Sequence, residues 1–167
     1  LYGDWGDGTY NQIDRTHAHL NMPATLLFAE DYAQQSVSLR FDLPDTRWKV
    51  ATQLKLQADG SYTAPDLQYL MDSPVELSAY SHRSWKVADQ YSEATIHLAL
   101  HHQGTEQQLD TFTEKAKAVV AEQQKIFGEY PKFDYGQYVF IADYLPYVDG
   151  DGMEHRNSTI LTDERSL

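Results

Sequence analysis

The chain has 167 residues and a formal net charge of −12, from 13 Lys plus Arg against 25 Asp plus Glu. Such an excess of carboxylates is repelled by phosphate backbones and anionic lipid, so neither nucleic acid nor a membrane surface is an expected partner. There is no Cys, which removes disulfides, thiolate catalysis and thiolate metal sites but leaves cytoplasmic and periplasmic compartments equally open.

Hydrophobic residues make up 41% of the chain and aromatic residues 13%, a composition suited to a soluble domain with half-buried sheets. No apolar run approaches the ~20 residues that span a bilayer. The chain opens on Leu1-Tyr-Gly-Asp-Trp5 without Met, which reads as a processed or truncated start.

The first hundred residues read mainly as strands. Ser36–Leu43 and part of Lys49–Leu56 alternate polar and apolar residues, and Pro44-Asp45 and Asp59-Gly60 punctuate them as turns. Leu67–Met71 and Val75–Tyr80 are short strand candidates separated by Asp72-Ser-Pro74, and Thr95–Leu100 is a further one. The character changes after His101-His-Gln-Gly104. Leu109, Phe112, Ala116, Val119, Val120, Ile126 and Phe127 follow helical spacing and are expected to pack in a core. Thr105 with Gln108 fits a capping box, Gly128 stands where a left-handed C-cap belongs, and Pro131 prevents continuation. Gly136–Ala142 reads as a buried strand, and Ser158–Thr162 as another after a Pro- and Gly-bearing loop. A boundary is expected near Gly104, giving a β-rich domain over 1–103 and an α+β start over 104–167.

His17 and His19 lie two apart and would share one face of a strand, as zinc ligands sometimes do, but no third ligand stands at a recognisable distance. His101 and His102 are adjacent and would diverge. His-Glu-x-x-His is absent, so no metal ligand is expected in this chain. Asp149-Gly-Asp-Gly152 has the look of a calcium loop but lacks its register, with Glu154 too early, and reads as a tight turn. Neither a Gly-x-Ser-x-Gly elbow nor a phosphate-binding Gly loop appears.

Glu154 has more suggestive surroundings. Gly150 and Gly152 permit close backbone approach or positive φ, and the following strand offers hydrogen-bonding groups to an extended peptide. A carboxylate there suits a free α-ammonium group, while an exposed acid on a turn is the plainer reading.

Several blocks together resemble the glycyl aminopeptidase family of zinc metallopeptidases. They are Asp14-Arg-Thr-His-Ala-His-Leu-Asn-Met-Pro-Ala24, Ala64-Pro-Asp-Leu-Gln-Tyr-Leu-Met-Asp-Ser-Pro-Val-Glu76, Phe127-Gly-Glu-Tyr-Pro131, Ala142-Asp-Tyr-Leu-Pro146 and Gly150-Asp-Gly-Met-Glu-His-Arg-Asn-Ser158. The resemblance implies an α+β fold: a β-rich N-terminal sheet or sandwich domain, entered at its middle, followed by the first helix and strands of a thermolysin-like catalytic domain. A PDZ domain would follow. It also implies zinc in a longer parent, with His-Glu-x-x-His beyond Leu167, so that this chain alone holds no catalytic residue and is inactive. By the same resemblance Gly152, Met153 and Glu154 contact a peptide substrate with a free, small N-terminal residue, Glu154 taking the amine, with His155 and Asn157 in supporting roles. The rival reading is a non-catalytic β-rich module that binds peptide or protein. Oligomeric state is left open.

Overall fold

The computed structural model describes residues 3–167. In chain order the elements are strands β1 (Gln12–Ile13) and β2 (His17–Leu20), helix α1 (Met22–Thr25), and strands β3 (Val37–Leu39), β4 (Lys49–Thr52), β5 (Lys55–Leu56) and β6 (Tyr62–Ala64). Helix α2 (Leu67–Met71), strands β7 (Val75–Ser78), β8 (Ser81–Ala88) and β9 (Glu93–His102), helix α3 (Glu106–Phe127), and strands β10 (Gln137–Tyr144), β11 (Asp151–Glu154) and β12 (Ser158–Asp163) complete them. They form a four-stranded sheet in the order β1-β2-β7-β4, a three-stranded sheet β3-β6-β5, and a five-stranded sheet β11-β12-β10-β9-β8. The fold is therefore α+β and β-rich, as expected. Among the described residues no helix is long and apolar enough to cross a membrane.

The five-stranded sheet carries the site. Strands β9 and β10 are parallel, which requires a crossover, and α3 supplies it. Alternation along β9 sends Ile96, Leu98 and Leu100 toward α3, where Leu109 and Val120 pack with Phe140 and Ala142 of β10. The opposite face carries Ala99, Val139 and Ile141, which pack with Ala51 of β4 and Tyr80. The sheet is thus covered by a helix on one side and by the four-stranded sheet on the other. A separate core gathers Leu20, Met22, Leu54, Tyr69, Leu70 and Val75.

The capping box forms as expected: the Thr105 side chain accepts from the Gln108 N–H, and the Gln108 side chain closes back on the Thr105 N–H. Gly128 ends the helix at φ 84°, a left-handed conformation that costs a residue with a Cβ.

Three expectations differ. Leu67–Met71 is a helix, because Asp66 caps it by accepting the Tyr69 N–H. The Gly104 boundary falls inside the five-stranded sheet: β8 and β9 precede it and β10 to β12 follow. The change from alternating to helical patterning there marks a βαβ crossover, and sheet membership changes near Tyr80 instead. In α3, Leu109 and Val120 are buried but Val119 is 57% exposed, and Ile126 and Phe127 are each 76% exposed, so the C-terminal end of the apolar stripe is not core.

Candidate functional site: a free strand edge beside an apolar groove

Strand β11 is the last strand of its sheet and, among the described residues, pairs only with β12, antiparallel, with Met153 opposite Ile160 and Glu154 opposite Thr159. The hairpin is closed by the His155 N–H donating to the Ser158 carbonyl at 2.9 Å. Backbone groups alternate direction along a strand. Residues 151, 153 and 155 therefore bond inward to β12, while the main-chain groups of Gly152 and Glu154 face the unpaired edge, the Gly152 N–H donating there to Asp151 Oδ1 at 2.8 Å. That edge can add an extended peptide as a further strand.

Side chains alternate as well. Glu154 lies on the α3 side of the sheet, across from Thr159, and Met153 points to the other side. Glu154 borders a groove of about 590 Å³ whose walls include Val119, Phe127, Tyr130, Phe133 and Tyr138. Among the described residues its carboxylate makes no ion pair and no hydrogen bond. Burial, with the Glu154 charge nearby, holds the Tyr138 phenol above its ordinary pKa. An unpaired anion against aromatic walls suits a cationic head on an apolar or small side chain.

Gly150 and Gly152 do not take positive φ, contrary to one of the two roles expected of them. A Cβ on Gly152 would meet its nearest atom at 3.8 Å, so the backbone there is open rather than tightly packed. Room for approach from outside is what the position offers.

His155 and Asn157 do not hydrogen-bond Glu154; they anchor its hairpin. His155 Nδ1 lies 3.0 Å from Asp72 Oδ1, and the Arg156 N–H donates to Asp72 Oδ2 at 2.9 Å. Asn157 is 2% exposed. Its Nδ2 donates to Tyr69 Oη (3.1 Å) and Asp134 Oδ2 (3.0 Å), and its Oδ1 accepts from the Asp134 N–H at 2.9 Å. The Asn157 N–H donates to Gln53 Oε1 at 2.8 Å. These bonds tie the β11–β12 turn to α2 and to the loop after β4, so the N-terminal part of the chain holds the strand edge in place.

Sequence reasoning missed a second constellation on the opposite face of the sheet. His17 and His19 of β2, Glu76 of β7, His101 of β9 and Asp143 of β10 converge between the two larger sheets. His17 and His19 do share a face, and His101 and His102 do diverge, His102 Nε2 lying 3.1 Å from Ser81 Oγ. Burial lowers the His17 imidazole, but Glu76, Asp143 and Asp14 outweigh it and raise the pKa to about 9. His19 is likewise lowered by burial yet raised on balance by Asp143, 2.8 Å away. Burial opposes the charge on Asp143, and His19 with its neighbours brings that carboxyl below its ordinary value.

Residues 1–79 match the peptidase M61 N-terminal domain family. Over 97% of its length the chain is similar to the crystal structure of an aminopeptidase N family protein from Idiomarina loihiensis, with a TM-score of 0.69 and 22% identity. It spans 27% of that protein. No curated protein matches it.

Proposed function

We propose that this chain is the N-terminal portion of a longer zinc metallopeptidase, an aminopeptidase that removes small N-terminal residues, and that it supplies the peptide-binding edge. The observation that carries the reading is the unpaired Glu154 carboxylate at the end of a strand with a free edge, beside an apolar groove. The substrate backbone pairs with the Gly152 carbonyl and the outward main-chain groups of Glu154, and the carboxylate takes the free α-ammonium group. Fixing the amine sets which peptide bond stands next in line, the positioning an aminopeptidase needs. Met153 bonds inward to β12 and its side chain lies on the far face of the sheet, so in this reading it holds the edge and does not itself touch the peptide.

The zinc implied by the family resemblance does not fit the groove. Among the described residues, the cluster of His and carboxylate groups able to hold a metal is buried on the opposite face of the sheet from Glu154. Zinc, when bound in the longer protein, would supply an activated water from ligands beyond these residues. This chain binds and orients the peptide.

The test compares a glycyl peptide with its N-acetyl twin, using the longer polypeptide that carries this chain. The reading expects cleavage of the free-amine peptide and near-complete rejection of the blocked one. Equal rates on both would remove the amine from recognition. A non-catalytic peptide-binding module would instead bind the free-amine peptide without cleaving it.

A further inference from the structure

Four side chains from four strands, three of them buried and two in each of the larger sheets, present donor atoms to a single point. They are His17, Glu76, His101 and Asp143, and one ligand atom from each lies within 4.8 Å of all the others. His17 and Glu76 have fully buried side chains, Asp143 is 1% exposed and His101 15% exposed.

The bonding of these groups is incomplete. Both ring nitrogens of His17, both oxygens of Glu76, Oδ1 of Asp143 and Nδ1 of His101 are buried without a hydrogen-bond partner among the described residues. Two carboxylates this deep are costly unless a positive charge sits with them.

Distances point the same way. His17 Nδ1 stands 3.4 Å from Glu76 Oε1 and 3.8 Å from Asp143 Oδ1, and His101 Nδ1 stands 3.9 and 3.8 Å from the same two oxygens. These are long for charge-assisted hydrogen bonds, which run about 2.7–2.9 Å. They approach the separation between ligands on a tetrahedral ion: bonds of about 2.0–2.2 Å place neighbouring donors roughly 3.4 Å apart. Supporting groups stand behind the donors. Asp14 Oδ2 lies 3.6 Å from His17 Nε2, leaving Nδ1 toward the centre, and His19 Nδ1 lies 2.8 Å from Asp143 Oδ2. Carboxylate and imidazole partners of this kind orient metal ligands.

We propose that His17, Glu76, His101 and Asp143 bind one divalent transition-metal ion of the zinc type, which joins the four-stranded sheet to the five-stranded sheet. Two imidazoles and two carboxylates match the donor preference of such an ion, and its charge neutralises the pair of acids. The ion is structural: the sphere closes with four protein ligands, between sheets and away from the groove. The inference is independent of the peptidase reading. Its rival is a metal-free network in which protonated His17 and His19 balance the two acids.

Zinc content per chain, measured by elemental analysis on wild type and His101→Gln after equilibration with zinc and desalting, separates the two. His101 is the least buried of the four, and its replacement keeps a polar group. Wild type should carry one more zinc equivalent than the variant, whatever zinc is held elsewhere, and added zinc should raise the thermal midpoint of wild type alone. Equal zinc in two folded proteins overturns the site. Should the variant not fold, anomalous scattering at the zinc edge from zinc-equilibrated wild-type crystals decides. A peak between the four donors supports the site, and empty density there overturns it.

Discussion

The His155 imidazole and the Asp72 carboxylate, 83 residues apart in the chain, meet at 3.0 Å. Their contact joins the end of α2 to the turn that follows Glu154, so the N-terminal domain has a direct hold on the proposed peptide edge. Asp72→Ala removes this contact and the bond from the Arg156 N–H together. It should cost about 1–3 kcal/mol, read by chemical denaturation, and should raise KM for peptide more than it lowers kcat. Unchanged stability and KM would mean that the hairpin is held without it.

Asn157 makes the stronger anchor. Replacing it with Ala leaves the Asp134 N–H and the Tyr69 hydroxyl without their buried partner. The expected loss is about 2–3 kcal/mol. Denaturant midpoints check this, and a change below about 0.5 kcal/mol would show that water replaces the amide.

A pH effect follows from the stacked pair His82 and His97, with Nε2 and Nδ1 3.1 Å apart. Burial, with Lys49 and Arg83 nearby, holds His82 below 6.5, and burial, with His82 beside it, holds His97 below 6.5. Below pH 6.5 the unfolded chain therefore binds more protons than the folded one. Stability is fully present above that pH and falls as the pH drops toward the folded-state values. The double variant His82→Gln/His97→Gln should lose less stability than wild type between about pH 7 and 5, measured by thermal unfolding across that range. Identical slopes would exclude the pair as a source.

Gly128 tests the helix end. Its φ is 84°, and a Cβ added there would meet no atom of the described residues within 4 Å, so strain can be separated from crowding. Gly128→Ala should destabilise by about 1 kcal/mol through backbone strain alone, measured by denaturant unfolding, and a neutral effect would mean that the cap relaxes.

Local chemistry explains what could be read from the sequence. The Thr105–Gln108 box and the Gly128 cap are set by neighbours within a few residues, and β10 by the apolar run from Tyr138 to Ala142. Leu67–Met71 misleads because five residues carry no clear period, and the deciding feature is the single cap at Asp66. The sheet crossing Gly104 is invisible locally, since β9 and β10 meet only after the helix between them is folded away. The His17–Glu76–His101–Asp143 cluster is hidden for the same reason: its members lie far apart in sequence and converge through strand register. His17-Ala-His19 is the one visible hint, and strand parity carries it correctly to one face. For Glu154, the local glycines and the family blocks draw attention to its strand, but the free edge and the anchoring of His155 and Asn157 are tertiary facts.

The central claim rests on the Glu154 carboxylate receiving a peptide's α-ammonium group, and Glu154→Gln in the longer polypeptide tests it most directly. The measurement is kcat/KM on an unblocked glycyl peptide, with the thermal midpoint as control. Loss of a charge-assisted bond worth about 1.5–3 kcal/mol predicts a fall of roughly 10- to 150-fold with an unchanged midpoint. Wild-type kcat/KM in a folded Glu154→Gln protein would contradict the account.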